Sequence, residues 1–159
     1  MDVPFTTNSV AETLELGRRL GEHLPTKAIV LLEGEMGAGK THFAKGLFLG
    51  VGGDDADCVV SPTYTLVNAH ELTTGCPFFH IDLYRLETVD ALVAMELSEY
   101  FFLDEGFTVV EWPRDIVEAM GLAGHILVTM TPADAPTHRR IVLSSEDDTL
   151  SAAIEGLRT

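Results

Sequence analysis

One stretch of the chain, residues 34–41, restricts its fold more than any other. It reads Gly-Glu-Met-Gly-Ala-Gly-Lys-Thr and fits the P-loop pattern, in which a glycine and four free positions precede Gly-Lys-Ser/Thr. The apolar, β-rich residues 28–32 come before it, and apolar residues recur at helical spacing over 43–48. A strand, a glycine-rich loop and a helix in this order predict an α/β fold of the P-loop NTPase type.

The residue types of this loop suit a phosphate ligand. Glycine lets the backbone turn tightly, so that its N–H groups come within hydrogen-bonding reach of phosphate oxygens. We expect the helix to begin at about Lys40, where its unpaired N–H groups and the positive end of its dipole face the same anion. Lys40 reaches the β and γ phosphates, and the Thr41 hydroxyl is a ligand for Mg²⁺. The sequence therefore predicts binding of a nucleoside triphosphate.

Two acids at strand-like positions are candidates for the rest of the site. Glu111 ends an apolar strand pattern, and the carboxyl ends of strands in open α/β sheets line the ligand crevice. A carboxylate there holds Mg²⁺ directly or through water, so we expect Glu111 beside Thr41; the alternative is an acid on the surface. Asp82 lies on the polar face of an alternating strand pattern, 78–85, and is a candidate for the Mg²⁺ or the attacking water. His80 on the same face is more often a structural histidine than a metal ligand.

The remaining patterns predict one domain, residues 1–159, with a central mixed sheet flanked by helices. Ser9 and Glu12 form a capping box that opens the first helix. Residues 61–63, Ser-Pro-Thr, interrupt a strand-like stretch and are typical of either a phosphate-sensing switch or an ordinary strand-entry turn. Further predicted elements are a hairpin turning at 73–75, a short helix over 115–120, and strands over 126–130 and 141–143. A helix is also predicted over 88–102, capped by Thr88, with its apolar residues packed in the core: Leu92, Met95, Leu97 and Phe101.

Charge and composition exclude several classes of function. Ten basic residues against 25 acidic ones give a formal net charge of −15, which argues against gripping nucleic acid without a basic partner. No apolar run is long enough to span a membrane, and the first residues lack the pattern of a signal peptide, so we expect a cytoplasmic protein. The two cysteines, Cys58 and Cys76, are too few for a zinc cage and are expected to stay reduced.

Four blocks of sequence together resemble the bacterial TsaE family, P-loop proteins of tRNA threonylcarbamoyladenosine (t6A) biosynthesis. The first block is the P-loop itself, and the order and spacing of the four match the family over roughly residues 9–144. The others are Ser-Pro-Thr-Tyr-Thr-Leu-Val at 61–67, His-Ile-Asp-Leu-Tyr-Arg-Leu at 80–86 and Val-Glu-Trp-Pro at 110–113. The Ser-Pro-Thr and Asp-Leu-Tyr-Arg blocks are far more specific than the P-loop.

The resemblance implies a cytoplasmic ATPase that uses ATP and Mg²⁺ and works with the partners TsaB and TsaD. In that family TsaD transfers threonylcarbamoyl to N6 of adenosine 37, in tRNAs that read codons beginning with A. TsaE looks like the ATP-driven component that sustains turnover and meets tRNA only through the complex. It does not carry the transferred group itself.

The resemblance also implies roles for individual residues. Thr41 and Glu111 would serve Mg²⁺, with Lys40, Asp82 and Glu111 as the catalytic residues. Family members hold the phosphates with the loop, which here is Met36, Gly37, Ala38, Gly39, Lys40 and Thr41. Contacts to the nucleotide beyond the loop would come from Val10, Trp112 and, less well aligned, Thr137. One departure is Glu96, where the family usually has a glycine, and this concerns the shape of a local loop rather than the nucleotide site.

Three other functions fit a P-loop less well here. A small kinase of a nucleoside or other metabolite commonly clamps the donor phosphates with a lid of arginines, whereas the seven arginines of this chain form no such cluster. A regulatory GTPase needs Asn-Lys-x-Asp, and no lysine follows Lys45. A nucleotide-sensing scaffold would bind without turnover. No arginine finger is evident, although Arg85 and Arg114 lie near the motifs, so we expect isolated turnover of about 10⁻² s⁻¹ or less, stimulated by partners.

Overall fold

The structure is a computed structural model that describes residues 2–60 and 66–158. The switch-like turn at residues 61–63 therefore lies outside the described residues. The strands are β1 (Asp2–Thr7), β2 (Lys27–Glu33), β3 (Val67–Glu71), β4 (Pro77–Asp82), β5 (Gly106–Glu111), β6 (Ile126–Pro132) and β7 (Arg139–Ser144). The helices are α1 (Val10–His23), α2 (Lys40–Gly50), α3 (Ala91–Leu97), α4 (Ile116–Met120) and α5 (Asp148–Glu155), with 3₁₀ turns at Ala56–Cys58, Ser98–Tyr100 and Gly156–Arg158.

The strands form one seven-stranded sheet in the order β1-β7-β6-β2-β5-β4-β3. β2 runs parallel to β5 and β6, and β4 runs parallel to β5, whereas β7 and β3 pair antiparallel with their neighbours. This arrangement confirms the predicted mixed sheet flanked by helices. Register places Leu32 and Asp82 on either side of Glu111, so the P-loop and both candidate acids emerge at one end of the sheet.

The first strand was not expected from the sequence. β1 pairs with β7 along its full length and lies at the sheet edge, with Val3 and Thr7 buried and the residues between them more exposed. Pro4 lacks an N–H donor, which an edge strand tolerates. The proline hides the strand pattern in so short a segment, and only the partner strand reveals it.

Helices α1 and α2 pack with their backbones in contact. A Cβ atom added at Gly46 would lie 2.0 Å from the Leu14 carbonyl oxygen, and one at Gly17 would lie 2.4 Å from that of Phe43. Only glycine permits this approach. Since α2 carries the end of the P-loop and α1 begins at Val10, the close packing fixes these two parts of the site relative to each other.

Two apolar clusters cover the two faces of the sheet, and β2 contributes to both. Its residues Val30 and Leu32 belong to the cluster beneath α1, α2 and α5, whereas Leu31 belongs to the cluster beneath α3 and α4. The alternation follows from the two-residue period of a strand. Burial on both faces explains why residues 28–32 are continuously apolar.

The predicted cap of the third helix is wrong. Asp90, not Thr88, caps α3, because its side chain accepts a hydrogen bond from the N–H of Val93 at 2.9 Å. The Thr88 hydroxyl donates instead to Asp115 at 2.8 Å. The helix is accordingly shorter than predicted, Ala91–Leu97 followed by a 3₁₀ turn.

Two residues expected in the core of α3 lie on its surface. Leu92 and Met95 are 65% and 72% exposed, while Leu97 and Phe101 supply the buried contacts. The segment carries apolar residues on both faces, so spacing alone does not identify the buried one.

Two other local predictions are confirmed, whereas the strand predicted over 78–85 ends at Asp82. Ser9 caps α1 and accepts from the N–H of Glu12 at 3.1 Å, and β3 and β4 form the expected hairpin. In the part of the chain that the structure describes, no helix has the length and apolar character required to span a membrane.

Candidate nucleotide site

A cavity of about 490 Å³ opens at the carboxyl ends of β2, β4 and β5. All of the site residues named from the sequence line it except Ala38, which is buried beneath the loop. The lining consists of Val10, Thr13, Met36, Gly37, Gly39, Lys40, Thr41, His42, Leu66, Asp82, Tyr84, Arg85, Glu111, Trp112, Thr137 and Arg139. The tertiary structure thus brings together residues from both ends of the chain.

The P-loop joins β2 to α2 through two glycines with positive φ, +82° at Gly37 and +101° at Gly39. L-residues with side chains rarely adopt these angles. At Gly34 a Cβ atom would lie 2.6 Å from the Met130 carbonyl oxygen on β6. The glycines are therefore required by the path of the loop. α2 begins at Lys40 as predicted, and Lys40, Thr41 and His42 of its first turn line the cavity.

The Lys40 side chain is folded back onto its own loop. Its ammonium donates to the carbonyl oxygens of Gly34 at 2.6 Å and Glu35 at 2.9 Å, and lies 4.2 Å from the centre of the Trp112 ring. Burial lowers the pKa of Lys40, against the opposing effect of Glu111. The ammonium is thus held in the cavity by neutral carbonyls and an aromatic face, contacts that a phosphate would outcompete.

Glu111 lies beside Thr41. The Thr41 hydroxyl is 3.2 and 3.3 Å from the two carboxylate oxygens, and Glu111 is only 3% exposed. On its other side, Oε2 of Glu111 accepts from Nε2 of His80 at 2.5 Å, and His80 is fully buried. Two donors from different elements therefore orient one buried carboxylate.

The structure changes the predicted description of β4. His80 and Asp82 were expected on a polar face, but α2 packs on that face through the Phe48–Phe78 contact, and His80 has no exposed surface. Its Nδ1 has no hydrogen-bond partner among the described residues, so its one polar contact is with Glu111. His80 is thus a structural histidine, as the sequence suggested, whose partner is a site residue.

Thr41 and Glu111 suit Mg²⁺ as ligands. Hydroxyl and carboxylate oxygens are hard donors, and in nucleotide sites Mg²⁺ takes one or two protein ligands, with phosphates and water completing an octahedron. Within residues 2–60 and 66–158 there is no group of three or more His, Cys, Asp or Glu that could hold a metal ion. The Thr41 hydroxyl and the Glu111 carboxylate fit a Mg²⁺ ion whose other ligands are phosphate oxygens and water.

Asp82 lies at the end of β4, paired in register with Glu111. Its Oδ1 accepts from the Tyr84 N–H at 2.9 Å. Burial raises the pKa of Asp82, and the nearby Glu111 charge raises it further. A carboxylate with an increased proton affinity at the mouth of a phosphate site is suited to orienting water, and it favours a cation nearby.

Trp112 forms one wall of the cavity through a strained backbone. Its φ is +55°, and that of Arg114 is +53°, angles that non-glycine residues seldom adopt. The Tyr84 ring packs 5.0 Å from the Trp112 ring, and Arg114 donates to the Tyr84 carbonyl oxygen at 2.7 Å. These contacts hold the indole between Lys40 and Arg114, where it turns toward the site.

The β6–β7 turn completes the cavity and contributes a residue that the sequence did not reveal. Arg139 donates from Nε to the Ala38 carbonyl oxygen at 2.9 Å and from Nη2 to that of Gly37 at 2.8 Å. Thr137 donates to the Asn8 carbonyl oxygen at 3.1 Å, just before Val10. The turn therefore links the P-loop to the start of α1, the two regions expected to contact the nucleotide.

Comparison with known proteins assigns the family. The sequence model described as threonylcarbamoyl adenosine biosynthesis protein TsaE matches residues 7–141. The chain belongs to the TsaE family. Membership implies nucleotide binding, in agreement with the P-loop and the cavity around it.

Several TsaE proteins are similar to this chain in sequence. Those of Nostoc and Synechocystis are 44% and 40% identical over 104 and 106 residues, which cover 63% and 64% of this chain. The match spans 61% and 64% of those two relatives, less than two thirds of their length. The TsaE of Streptomyces coelicolor is 40% identical over 67% of this chain and 70% of its own. All three are named tRNA threonylcarbamoyladenosine biosynthesis protein TsaE.

A solved structure shares the fold. The crystal structure of Bacillus subtilis YdiB superposes with a TM-score of 0.77 over 99% of this chain and 95% of that one, at 22% sequence identity. At this identity the likeness concerns the arrangement of sheet and helices, and it agrees with the fold of this TsaE family member.

Proposed function

We propose that the chain is a slow, Mg²⁺-dependent ATPase that serves t6A modification of adenosine 37 in tRNAs reading codons that begin with A. The observation that carries the ATPase proposal is the meeting of Lys40, Thr41 and Glu111 in one cavity behind a P-loop. Family membership supports the pathway, since the similar proteins are named for t6A biosynthesis. We propose further that residues 1–159 act as one domain in the cytoplasm.

The residues of the cavity divide the chemistry between them. The loop N–H groups of residues 36–41 and the Lys40 ammonium bind the phosphates, once Lys40 exchanges its carbonyl partners for phosphate oxygens. Mg²⁺, held by Thr41 and Glu111, would neutralise charge on the phosphates. Asp82 orients the attacking water from the neighbouring strand end.

The nucleoside end of the ligand lies toward Val10, Thr137 and Trp112. All three residues line the cavity. Val10 is 47% exposed and begins α1, and Thr137 lies in the turn hydrogen-bonded to Asn8 just before it. An apolar side chain, a hydroxyl and an aromatic ring in this order suit a purine base and its sugar.

Slow turnover by the isolated chain follows from the arginines. Within the described residues, Arg139 is committed to carbonyl oxygens of the loop and Arg114 to that of Tyr84. Arg85 lines the cavity and is exposed. Because Arg139 and Arg114 are held by carbonyl oxygens, we expect about 10⁻² s⁻¹ or less, and partner proteins raise this rate.

The partners we propose are TsaB- and TsaD-like proteins, with tRNA met only through their complex. The net charge of −15 opposes direct binding to a polyanion. The t6A reaction itself belongs to those partners, while this chain supplies ATP-driven turnover.

Reconstitution tests the proposal. The chain is combined with TsaB- and TsaD-like proteins, tRNA, ATP and a threonylcarbamoyl donor, and modified adenosine 37 is counted over several turnovers. Wild type should sustain repeated turnover, and Lys40→Ala should not, because the main phosphate cation is missing. Multiple turnovers of equal rate with Lys40→Ala, or with a non-hydrolysable ATP analogue, would refute the energy-coupled role.

A further inference from the structure

Three large apolar side chains stand exposed on the segment that begins with α3. Leu92 is 65% exposed, Met95 72% and Phe102 63%. We call these three residues the α3 ridge. None of them lines the nucleotide cavity.

The α3 ridge lies along one face of a nearly continuous helical segment. α3 passes directly into the 3₁₀ turn Ser98–Tyr100, and the Phe102 N–H still bonds to the Ser98 carbonyl oxygen at 3.3 Å. Positions 92, 95, 99 and 102 are spaced by three and four, so they share a face. Leu97 and Phe101 occupy the opposite face and are buried.

The three ridge residues are therefore not needed to hold the segment against the core. The inward face already attaches the segment to the core, through Leu97, Phe101 and the apolar residues of α4. Large apolar side chains exposed side by side are uncommon on a soluble surface and mark sites of protein association. Met is also suited to such a surface, because its flexible thioether adapts to the shape of a partner.

The charge around the ridge indicates the kind of partner that would bind it. Residues 86–106 contain six acidic residues and no Lys, Arg or His. Glu96 and Glu99 are exposed on the same face as the ridge. A second copy of this chain would bring these carboxylates against their equivalents, and nucleic acid would bring phosphates, so both are disfavoured.

We propose that the α3 ridge is the docking surface for a protein whose matching surface is an apolar groove rimmed by Lys and Arg. This inference rests on the proposed function, because it assigns the groove to the TsaB- and TsaD-like proteins. Apolar contacts would supply affinity, and the acidic flank would supply steering and register.

The ridge is also tied to the nucleotide cavity through the backbone. The segment leading to it leaves the cavity at Asp82, where the Leu83 N–H bonds to the Glu111 carbonyl oxygen at 3.1 Å. Further along, Asp115 accepts from the Thr88 hydroxyl and the Val89 N–H, each at 2.8 Å. A partner bound to the ridge would thus contact the segment that leads back to Asp82.

The test places a lysine on the ridge. Leu92→Lys and Met95→Lys change exposed helical residues, so folding should be retained. Each substitution removes an apolar contact with the partner and places a positive charge against the partner's basic rim. The control is Ala152→Lys, which introduces the same residue at an exposed position of α5. Affinity for the TsaB- and TsaD-like pair is measured by calorimetry with ATP and Mg²⁺, and binding of a fluorescent ATP analogue to each isolated variant is measured in parallel.

We expect each ridge variant to bind the pair at least 10-fold more weakly, with Ala152→Lys and all analogue affinities unchanged. Glu99→Lys should weaken binding and reduce its salt dependence. Unchanged partner affinity in both ridge variants would overturn the ridge while leaving the proposed function intact. A wild-type chain that binds ATP but neither partner would overturn both the partner assignment and the docking surface. A wild-type dimer dissociated by Met95→Lys would assign the ridge to a second copy and overturn the proposal.

Discussion

His80 donates a hydrogen bond from Nε2 to Oε2 of Glu111 across 2.5 Å, in the buried floor of the nucleotide cavity. Thr41 reaches the same carboxylate from α2. The acid proposed to serve Mg²⁺ is therefore oriented before any ligand is present. Such support of a ligating carboxylate usually strengthens metal binding, since less ordering remains to be done.

Replacing His80 should weaken both folding and the response to Mg²⁺. His80→Leu leaves a buried carboxylate without its main donor, and we expect a loss of about 1–3 kcal/mol in the free energy of unfolding. Urea unfolding measures this loss. The Mg²⁺ concentration for half-maximal hydrolysis should rise as well.

His80→Gln is the informative companion variant, because its amide can still donate to Glu111. It should recover a good part of the Mg²⁺ response even if some stability is lost. A His80→Leu chain with a normal Mg²⁺ dependence would show that the histidine only fills space.

Removing the charge of Glu111 should separate Mg²⁺ use from nucleotide binding. Glu111→Gln keeps the side-chain shape and removes the anion, so hydrolysis at limiting Mg²⁺ should fall by at least 10-fold. Binding of ATP in EDTA should be unchanged or tighter, since a negative charge near the phosphates is gone. Normal hydrolysis by Glu111→Gln at limiting Mg²⁺ would mean that another residue holds the metal.

Arg139 should act on the affinity for ATP through the shape of the loop. Arg139→Ala removes the donors to the Gly37 and Ala38 carbonyl oxygens, which keep these carbonyls turned toward the arginine. Two hydrogen bonds of about 1 kcal/mol each correspond to a rise in KM of roughly 10- to 30-fold, with a smaller change in kcat.

The adjacent Arg140 provides the matched control for this prediction. It is exposed, and Arg140→Ala removes the same charge from the same strand. Equal effects of the two substitutions would indicate a general electrostatic contribution rather than an organised loop.

Asp82 should reduce the stability of the nucleotide-free chain at neutral pH. Burial raises its pKa in the folded state, so the folded chain binds the proton more tightly than the unfolded chain. Its contribution to stability is complete below the unfolded pKa of about 4 and is lost as pH rises through the raised folded value. Asp82→Asn should therefore melt at a higher temperature than wild type at pH 7, and the difference should disappear near pH 3.

Thermal melts of both proteins at several pH values measure this difference. Asn can still accept from the Tyr84 N–H, so the local turn is retained. Asp134→Asn, at an exposed position, controls for net charge. An Asp82→Asn chain that is less stable than wild type at pH 7 would mean that the ionised carboxylate is stabilising.

Much of the site was accessible from sequence because its parts are local. The P-loop specifies its own conformation through glycines at positions of positive φ, as at Gly37 and Gly39. Glu111 ends a predicted strand and Asp82 lies on the polar face of another, and parallel strands bring their carboxyl ends to one edge. The meeting of Glu111 with Thr41 follows from that topology.

The helical segment after β4 shows where local patterns fail. Its residues are apolar on both faces, so Leu92 and Met95 were assigned to the core together with Leu97 and Phe101, and only the last two are buried. Which face of a helix is buried depends on the elements that pack against it, and the spacing of apolar residues does not reveal this. The cap moved from Thr88 to Asp90 for a similar reason, because a distant acid binds the threonine.

The amino-acid sequence by itself determined the P-loop, the strand and the helix on either side of it, Glu111 at a strand end and Asp82 on a further strand, because each depends on residues close together in the chain. The tertiary structure alone decided which groups support them. Arg139 donates to a carbonyl oxygen 101 positions earlier in the chain, and His80 donates to Glu111, 31 positions later. Such contacts arise when strands distant in sequence pair within one sheet, so no local pattern of residues predicts them.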